Sequence, residues 1–388
     1  ANRVPYNYSW QDADGNYLTN PIASQYNEYG VLEKGGFNQA DNDEIFGAFN
    51  GQLSVTKDLK LIGEFGGTLQ NNGTFFRRTQ VDYLPAGVYG NDLSVLDGNS
   101  KSLLLNTKLT AEYSKKITDH FFKVQVSASS ESFDQRGFQL QKTLTDPLLG
   151  TPTTGTIIDT QNSNNSIAVN ATSLLSVFGR VNYSYKDKYL FEGLFRNDAS
   201  SKFAAGKRSG FFPSASVGWI VTQESFMQPL KNTLSTFKVR ASYGIVGNQN
   251  VGNYQYQTTY FNYANAYGFG NNVVGGAGTF ISNQDLTWEK SAKLNIGFDA
   301  GLFDDKLTAT FDYFRTTTSD ILAPREDVPF IFGAASPDYN VAKVRNTGWE
   351  ASLTYNLRGK VTQSFSFNIA DNKNQLLQLT GSATERIY

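Results

Sequence analysis

The strongest constraint on this 388-residue chain is a two-residue rhythm that recurs along most of its length, broken by connections that are alternately short and long. Successive side chains of a strand point to opposite faces, so apolar residues at every second position mark one face of a sheet. Ile45, Gly47, Phe49, Gly51, Leu53 and Val55 alternate with Asn50, Gln52 and Ser54. After Thr56-Lys57-Asp58, Leu61, Gly63, Phe65, Gly67 and Leu69 alternate mostly with Lys60, Glu64, Thr68 and Gln70. Two such runs joined by a few polar residues make a hairpin.

The unit repeats at Leu103–Tyr113 and Phe122–Ala128, at Leu175–Tyr183 and Tyr189–Phe195, at Phe237–Tyr243, at Leu294–Ala300 and Leu307–Tyr313, and at Trp349–Tyr355 and Phe365–Ile369. Lys115-Lys116, Lys186-Asp187-Lys188, Asp304-Asp305 and Arg358-Gly359-Lys360 read as short turns. The expectation is of about twelve strands in an antiparallel meander. Each is close to the 9–11 residues that cross a bilayer on a tilt. The other connections, Asn71–Ser100, Glu131–Thr172, Gly244–Asp285 and Thr317–Thr347, read as long loops. Short turns on one side and long loops on the other are the arrangement of an outer-membrane barrel. A compact soluble domain rarely carries several structureless loops of that size.

Alternation alone does not say which face is wet, because a soluble sandwich also has one apolar face. Two features favour lipid. The apolar stripes carry essentially no charge along their middles, where a charge facing lipid would cost about 2–4 kcal/mol. Tyr113, Tyr183, Tyr185, Tyr189, Phe303 and Tyr355 gather near the short turns, as an interfacial aromatic girdle does. The fold class expected is therefore all-β: a transmembrane, antiparallel, up-and-down β-barrel, present in part.

Composition removes other classes. No cysteine is present, so there are no disulfides or thiolate metal sites. A net charge of −1 gives no basic field for nucleic acid. No run approaches the roughly 18 apolar residues of a membrane helix, a test that is blind to barrel strands. The chain opens Ala1-Asn2-Arg3-Val4-Pro5 without a signal peptide, and its one methionine is Met227, so a processed chain, a truncated one or an internal segment is expected.

From about Leu103 onward the sequence resembles the SusC/RagA family of TonB-dependent outer-membrane importers. Five blocks carry the likeness. They are Arg196-Asn197-Asp198-Ala199-Ser200-Ser201-Lys202-Phe203 continuing through Arg208 to Phe212–Trp219 and Glu224–Met227; Leu234 through Phe237–Gly244 to Gly247-Asn248-Gln249; Leu286-Thr287-Trp288-Glu289-Lys290 running to Asn295–Asp299; Asp312-Tyr313-Phe314 with Thr318–Leu322; and Val344-Arg345-Asn346-Thr347-Gly348-Trp349-Glu350. The resemblance implies part of a plugged barrel of about 22 strands in the outer membrane of a Gram-negative bacterium. It implies import of an oligosaccharide, a peptide or another large nutrient. It also implies a SusD-like surface lipoprotein as partner, with a dimer of transporter–lipoprotein pairs as a further expectation, and a TonB complex reached through N-terminal parts that this chain lacks. No TonB box or plug is recognisable. Residues 1–43 match poorly and are read as an extracellular loop segment, with residues 44–388 as barrel. A structural or secretion-associated barrel is the competing reading, and a soluble carbohydrate-binding β-protein a more distant one.

The candidate ligand-facing segment is an aromatic run in one long loop: Tyr254, Tyr256, Tyr260, Phe261, Tyr263, Tyr267 and Phe269. Such rings can stack on sugars or pack on peptide, and the plainer reading is loop packing or a protein contact. Arg180, Arg196, Lys238, Arg240 and Lys293 fall on the polar faces and are expected to point into the lumen, paired with Glu64, Glu192, Asp299, Asp312 or a plug. His120, the one histidine, reads as a rim residue. Asp12-Ala13-Asp14-Gly15-Asn16 hints at a calcium loop but reads better as a polar turn. No catalytic residue, metal site or cofactor is expected.

Overall fold

The computed structural model describes residues 9–20, 25–26, 28–85, 87–89, 93–144, 156–157, 166–270, 272–324, 337–357, 361–379 and 386–387. Its framework is twelve long strands: β1 (Gly36–Ser54), β2 (Leu59–Arg78), β3 (Ser94–Ile117), β4 (His120–Thr143), β5 (Ser166–Tyr185), β6 (Tyr189–Ser200), β7 (Ser209–Ile220), β8 (Leu234–Asn248), β9 (Glu289–Leu302), β10 (Leu307–Pro324), β11 (Asp338–Leu357) and β12 (Gln363–Gln378). Each long strand is hydrogen-bonded to its neighbours in sequence, in an open order from β1 to β12. Thr156–Ile157 adds to β4 and Arg386–Ile387 to β12. The meander expected from periodicity is the observed topology.

Three expectations are corrected. The strands are longer than a bilayer needs: β3 and β4 have 24 residues each, about 80 Å at ~3.3 Å per residue. They therefore extend through Asn71–Arg78, Glu131–Thr143 and Thr317–Pro324, which had read as loop. Beyond the lipid both faces of a strand are wet, so nothing there enforces alternation, and the periodic signal stops before the strand does. Second, β1 begins at Gly36, inside the stretch read as a loop segment. Third, Lys115-Lys116 lies in β3, and the turn is Thr118-Asp119, where Thr118 adopts a φ of 50°. Lys186 and Asp187, both at φ 53°, make the tight turn expected there. Arg358-Gly359-Lys360 lies outside the described residues.

The chain divides into two compact units, residues 1–47, 67–105 and 133–171, and residues 48–66, 106–132 and 172–388. In the first, Tyr17–Asn20, Gln25–Tyr26, Val81–Leu84 and Gly87–Tyr89 form a small sheet beside a helix at Glu28–Lys34. Tyr17, Val81 and Tyr83 are its buried core, with Val31 packed on them. Asp12 accepts hydrogen bonds from the backbone N–H of Asp14 (3.0 Å) and Asn16 (2.8 Å) and from Asn16 Nδ2 (2.9 Å). Those bonds hold its carboxyl below the usual carboxylate range, the Asn16 side chain contributing most. The segment is a self-satisfied polar turn.

In the second unit, two adjacent rows of register show why the two faces differ. One row runs Tyr183, Phe191, Val217, Ala241, Ile296, Tyr313, Trp349 across β5–β11. The next runs Asn182, Glu192, Ser216, Ser242, Asn295, Phe314, Gly348. Side chains of the apolar row stand in the open: Val217 is 54% and Ile296 46% exposed. A continuous apolar surface of this kind marks a contact with lipid or protein. Buried hydrophobic residues gather instead at the long-connection end, where Phe203, Phe212, Val251, Leu286 and Trp288 pack together with Leu174, Ile245 and Leu322 around them.

Candidate functional site

The polar face of β5–β10 is a wall of hydrogen-bonded charge. Period two puts Arg180, Arg196, Lys238, Arg240 and Lys293 on this one face, opposite the apolar stripe. Arg240 is the centre of the densest cluster. Its guanidinium forks onto Asp312 (Nη1–Oδ1 2.6 Å, Nη2–Oδ2 2.7 Å) and also donates to Asp299 (Nε–Oδ2 3.2 Å) and Asn295 (3.3 Å). In register Arg240 faces Gly297, and Gly297 faces Asp312. The arginine thus reaches across an intervening strand, over a residue with no side chain. A Cβ on Gly297 would lie 2.5 Å from the Phe311 carbonyl oxygen and 2.6 Å from Asp312 Oδ1. Glu350 stands directly opposite Asp312, a like-charge pairing that the guanidinium offsets.

Arg180 pairs with Glu192, whose Oε2 also accepts from Asn182 Nδ2 at 2.6 Å. Arg196 binds Asp198 through Nε (2.7 and 2.8 Å) and Ser176 through Nη2 (2.9 Å). Glu64 pairs with Lys108 (2.7 Å) rather than with any of the five. Among the described residues neither Lys238 nor Lys293 stands within ion-pair distance of a carboxylate.

A cavity of about 600 Å³ opens on this face, lined by Glu192, Arg196, Asp198, Ser242, Lys293 and Trp288 among others. Its outer edge is a clamp built from loop ends. Trp288 Nε1 donates to the Arg208 carbonyl (2.8 Å), and Arg208 Nε donates to the Phe203 carbonyl (3.2 Å). Glu289 accepts from the Leu322 backbone N–H (2.9 Å) and Asn248 Nδ2 (2.7 Å). Asn340 Nδ2 donates to the carbonyls of Thr287 (2.9 Å) and Asp320 (2.7 Å), and its Oδ1 accepts from Thr287 N–H (3.0 Å). Four of the five sequence blocks converge here. Asp198, Ser242 and Trp288 were in those blocks but unassigned, because no periodicity reports that distant segments meet.

The aromatic run is not brought to that cavity. Tyr254 adopts a left-handed turn at φ 64°, and Tyr256 accepts a bond from Gln257 Nε2 at 3.4 Å. Tyr260, Phe261, Tyr263, Tyr267 and Phe269 lie on the first arm, Thr259–Phe269, of a hairpin completed by Asn272–Phe280. Register sets Phe261 opposite Gly278 and Tyr263 opposite Gly276. Tyr260 and Phe269 are exposed.

At the short-turn end, His120 Nδ1 lies 2.8 Å from Tyr183 Oη, and its ring stacks on Tyr185 at 4.7 Å. Tyr185, Tyr189 and Trp219 continue the stack. Glu224, in the connection after β7, accepts from Tyr189 Oη (2.6 Å), Trp219 Nε1 (3.1 Å) and Lys188 Nζ (3.2 Å). These donors, Tyr189 first, hold its carboxyl below the usual glutamate range.

Comparison with known proteins follows this geometry. Residues 1–386 match the family described as TonB dependent receptor-like, beta-barrel. TonB-dependent receptor SusC of Bacteroides thetaiotaomicron is 28% identical over 410 aligned positions, which cover 100% of this chain and 39% of that protein. TonB-dependent receptor P3 of Formosa agariphila is 38% identical over 217 residues, 54% of this chain and 21% of that one. The chain thus spans well under half the length of these relatives. Among solved structures, the RagAB peptide transporter superposes with a TM-score of 0.76 at 24% identity, over 96% of this chain and 41% of that one. The ferric citrate transporter FecA gives 0.51 at 9% identity, over 88% and 44%. At those identities the two structures speak for the fold alone.

Proposed function

Because the chain belongs to the family of TonB-dependent receptor-like β-barrels, whose members are transporters and not enzymes, we propose that it is part of the wall of an active importer in a bacterial outer membrane. The imported solute is a large nutrient, an oligosaccharide or a peptide. A SusD-like surface lipoprotein works with it, in a dimer of such pairs, and coupling to TonB runs through other parts of the full protein. The strands from Gly36 onward, with their outer loops, serve as barrel wall, and the residues before Gly36 as an extracellular segment. The apolar stripe meets lipid. Arg180, Arg196, Lys238, Arg240 and Lys293 face the lumen, where Lys238 and Lys293 offer charge to a plug or a passing solute. The Thr259–Phe280 hairpin presents Tyr260 and its neighbouring rings to ligand.

The observation that carries this reading is that one sheet has an apolar face with exposed side chains and an opposite face that carries hydrogen-bonded charge. Lipid tolerates strands only where every backbone group is paired, and an aqueous lumen suits the charged row. The test is uptake by cells expressing the full-length protein with and without residues 259–280, using labelled oligosaccharide and labelled peptide in parallel. Loss of energised uptake of one class supports the reading and names the nutrient. Uptake of neither class by the intact protein favours the structural-barrel alternative.

A further inference from the structure

We propose that the connection Val221–Thr233, between β7 and β8, is a foot lying in the phospholipid headgroup layer on the lipid side of the wall, with Phe226 and Leu230 inserted at the glycerol level. The proposal rests on the reading that the apolar stripe meets lipid.

The other fully described connections on this side are tight: Val55–Asp58, Thr118–Asp119, Lys186–Lys188 and Phe303–Lys306. This one is longer and ordered, made of two 3-10 turns, Val221–Gln223 and Ser225–Leu230. Its direction is fixed by Glu224. Besides Lys188 in the neighbouring turn, Glu224 binds the tips of Tyr189 and Trp219, which share the apolar face: they are register partners on the faces of Phe191 and Val217. A segment folded under the charged face could not bring Glu224 to those tips. The connection therefore bends toward the apolar side, beneath the aromatic row of Tyr185, Tyr189 and Trp219.

Its root is held rigid. Val221 and Thr222 are buried, and Thr222 Oγ1 accepts from the Phe237 backbone N–H at 3.2 Å. Past that root, Phe226 is 62% and Leu230 52% exposed. Two large apolar side chains left open on an ordered segment, continuous with an apolar stripe and its aromatic girdle, fit an interface that is apolar on one side and hydrated on the other. Lys231, next to Leu230, is an exposed cation complementary to phosphate groups.

Single-cysteine variants of the full-length protein, bearing no other cysteine and labelled with an environment-sensitive fluorophore, test this in vesicles of phospholipid brominated at shallow or deep acyl positions. The expected result is strong quenching of labels at F226C and L230C by shallow bromine and weak quenching by deep bromine. A label at V217C should be quenched by deep bromine, and one at K57C, in a tight turn, by neither. Labels at 226 and 230 that behave like the one at 57, while 217 is quenched, overturn the foot and leave the importer reading intact. An unquenched label at 217 overturns the lipid-face reading itself.

Discussion

At the scale of single residues, the polar wall depends on what is missing as much as on what is present. Arg240 reaches Asp312 only because Gly297 lies between them. Gly297→Ala puts a methyl group within 2.6 Å of Asp312 Oδ1, so the fork opens and a part-buried charge loses its best partner. The expected cost is about 1–3 kcal/mol, read as a lower temperature for loss of the heat-modifiable folded band in detergent. Asp312→Asn alone should cost a similar amount, and the double variant little more than either, since both remove one interaction. Glu224 gives a pH signature. Its folded carboxyl lies below the ordinary 4.5, so its contribution to stability is full above that value and is lost as pH falls through the folded one. Glu224→Gln should therefore be less stable than the parent at neutral pH, with the gap closing in acid once pH falls below the ordinary glutamate range and through the folded carboxyl's lower one. A gap that persists unchanged into acid would show that its hydrogen bonds, not its charge, carry the effect. The sequence suggested that Arg240 pairs with carboxylates such as Asp299 and Asp312 on the polar faces, but that it meets Asp312 across Gly297 needs the register.

At the scale of elements, the sequence showed strands where lipid would enforce alternation and lost them elsewhere. β7 escaped the periodic reading because Pro213 interrupts it and Phe211 and Phe212 put large rings on both faces. Phe212 turns out to be buried in the outer cluster, against Trp288 at 5.3 Å. The same boundary explains the long loops read at Asn71–Ser100 and Glu131–Thr172, which are partly strand. Asymmetry between faces is the property to test. Ile296→Arg, in the middle of the apolar row, should cost about 2–4 kcal/mol. Ser242→Arg, one row away on the polar face, should cost less than half as much. Folding yields into lipid vesicles over a denaturant series would give both numbers, and equal costs would mean that the two faces see one solvent. The outer clamp is a second element-scale prediction. Asn340→Ala strips Thr287 and Asp320 of three hydrogen bonds and should speed proteolysis at residues 283–289 before the strands themselves loosen.

At the scale of the whole molecule, the twelve long strands follow one another antiparallel in an open order, and the sheet is not closed among the described residues. Backbone left unpaired in hydrocarbon costs several kcal/mol per group, which is why the order of pairing, strand to next strand, matters for a chain of this family. The fold class and the family likeness were readable in advance because both reside in local rhythm and local blocks. The cavity at the long-connection end was not, since it is assembled from Leu174 through Lys293 by three-dimensional convergence. The proposed function turns on a single orientation: apolar face toward lipid, polar face toward water. It is best tested along β9, by labelling cysteines placed one at a time at Leu294, Asn295, Ile296, Phe298 and Asp299 in the full-length protein in native outer membranes, with a membrane-impermeant maleimide. Labelling should alternate, low at Leu294, Ile296 and Phe298 and high at Asn295 and Asp299. Labelling in the opposite phase, or the same at all five positions, would contradict it.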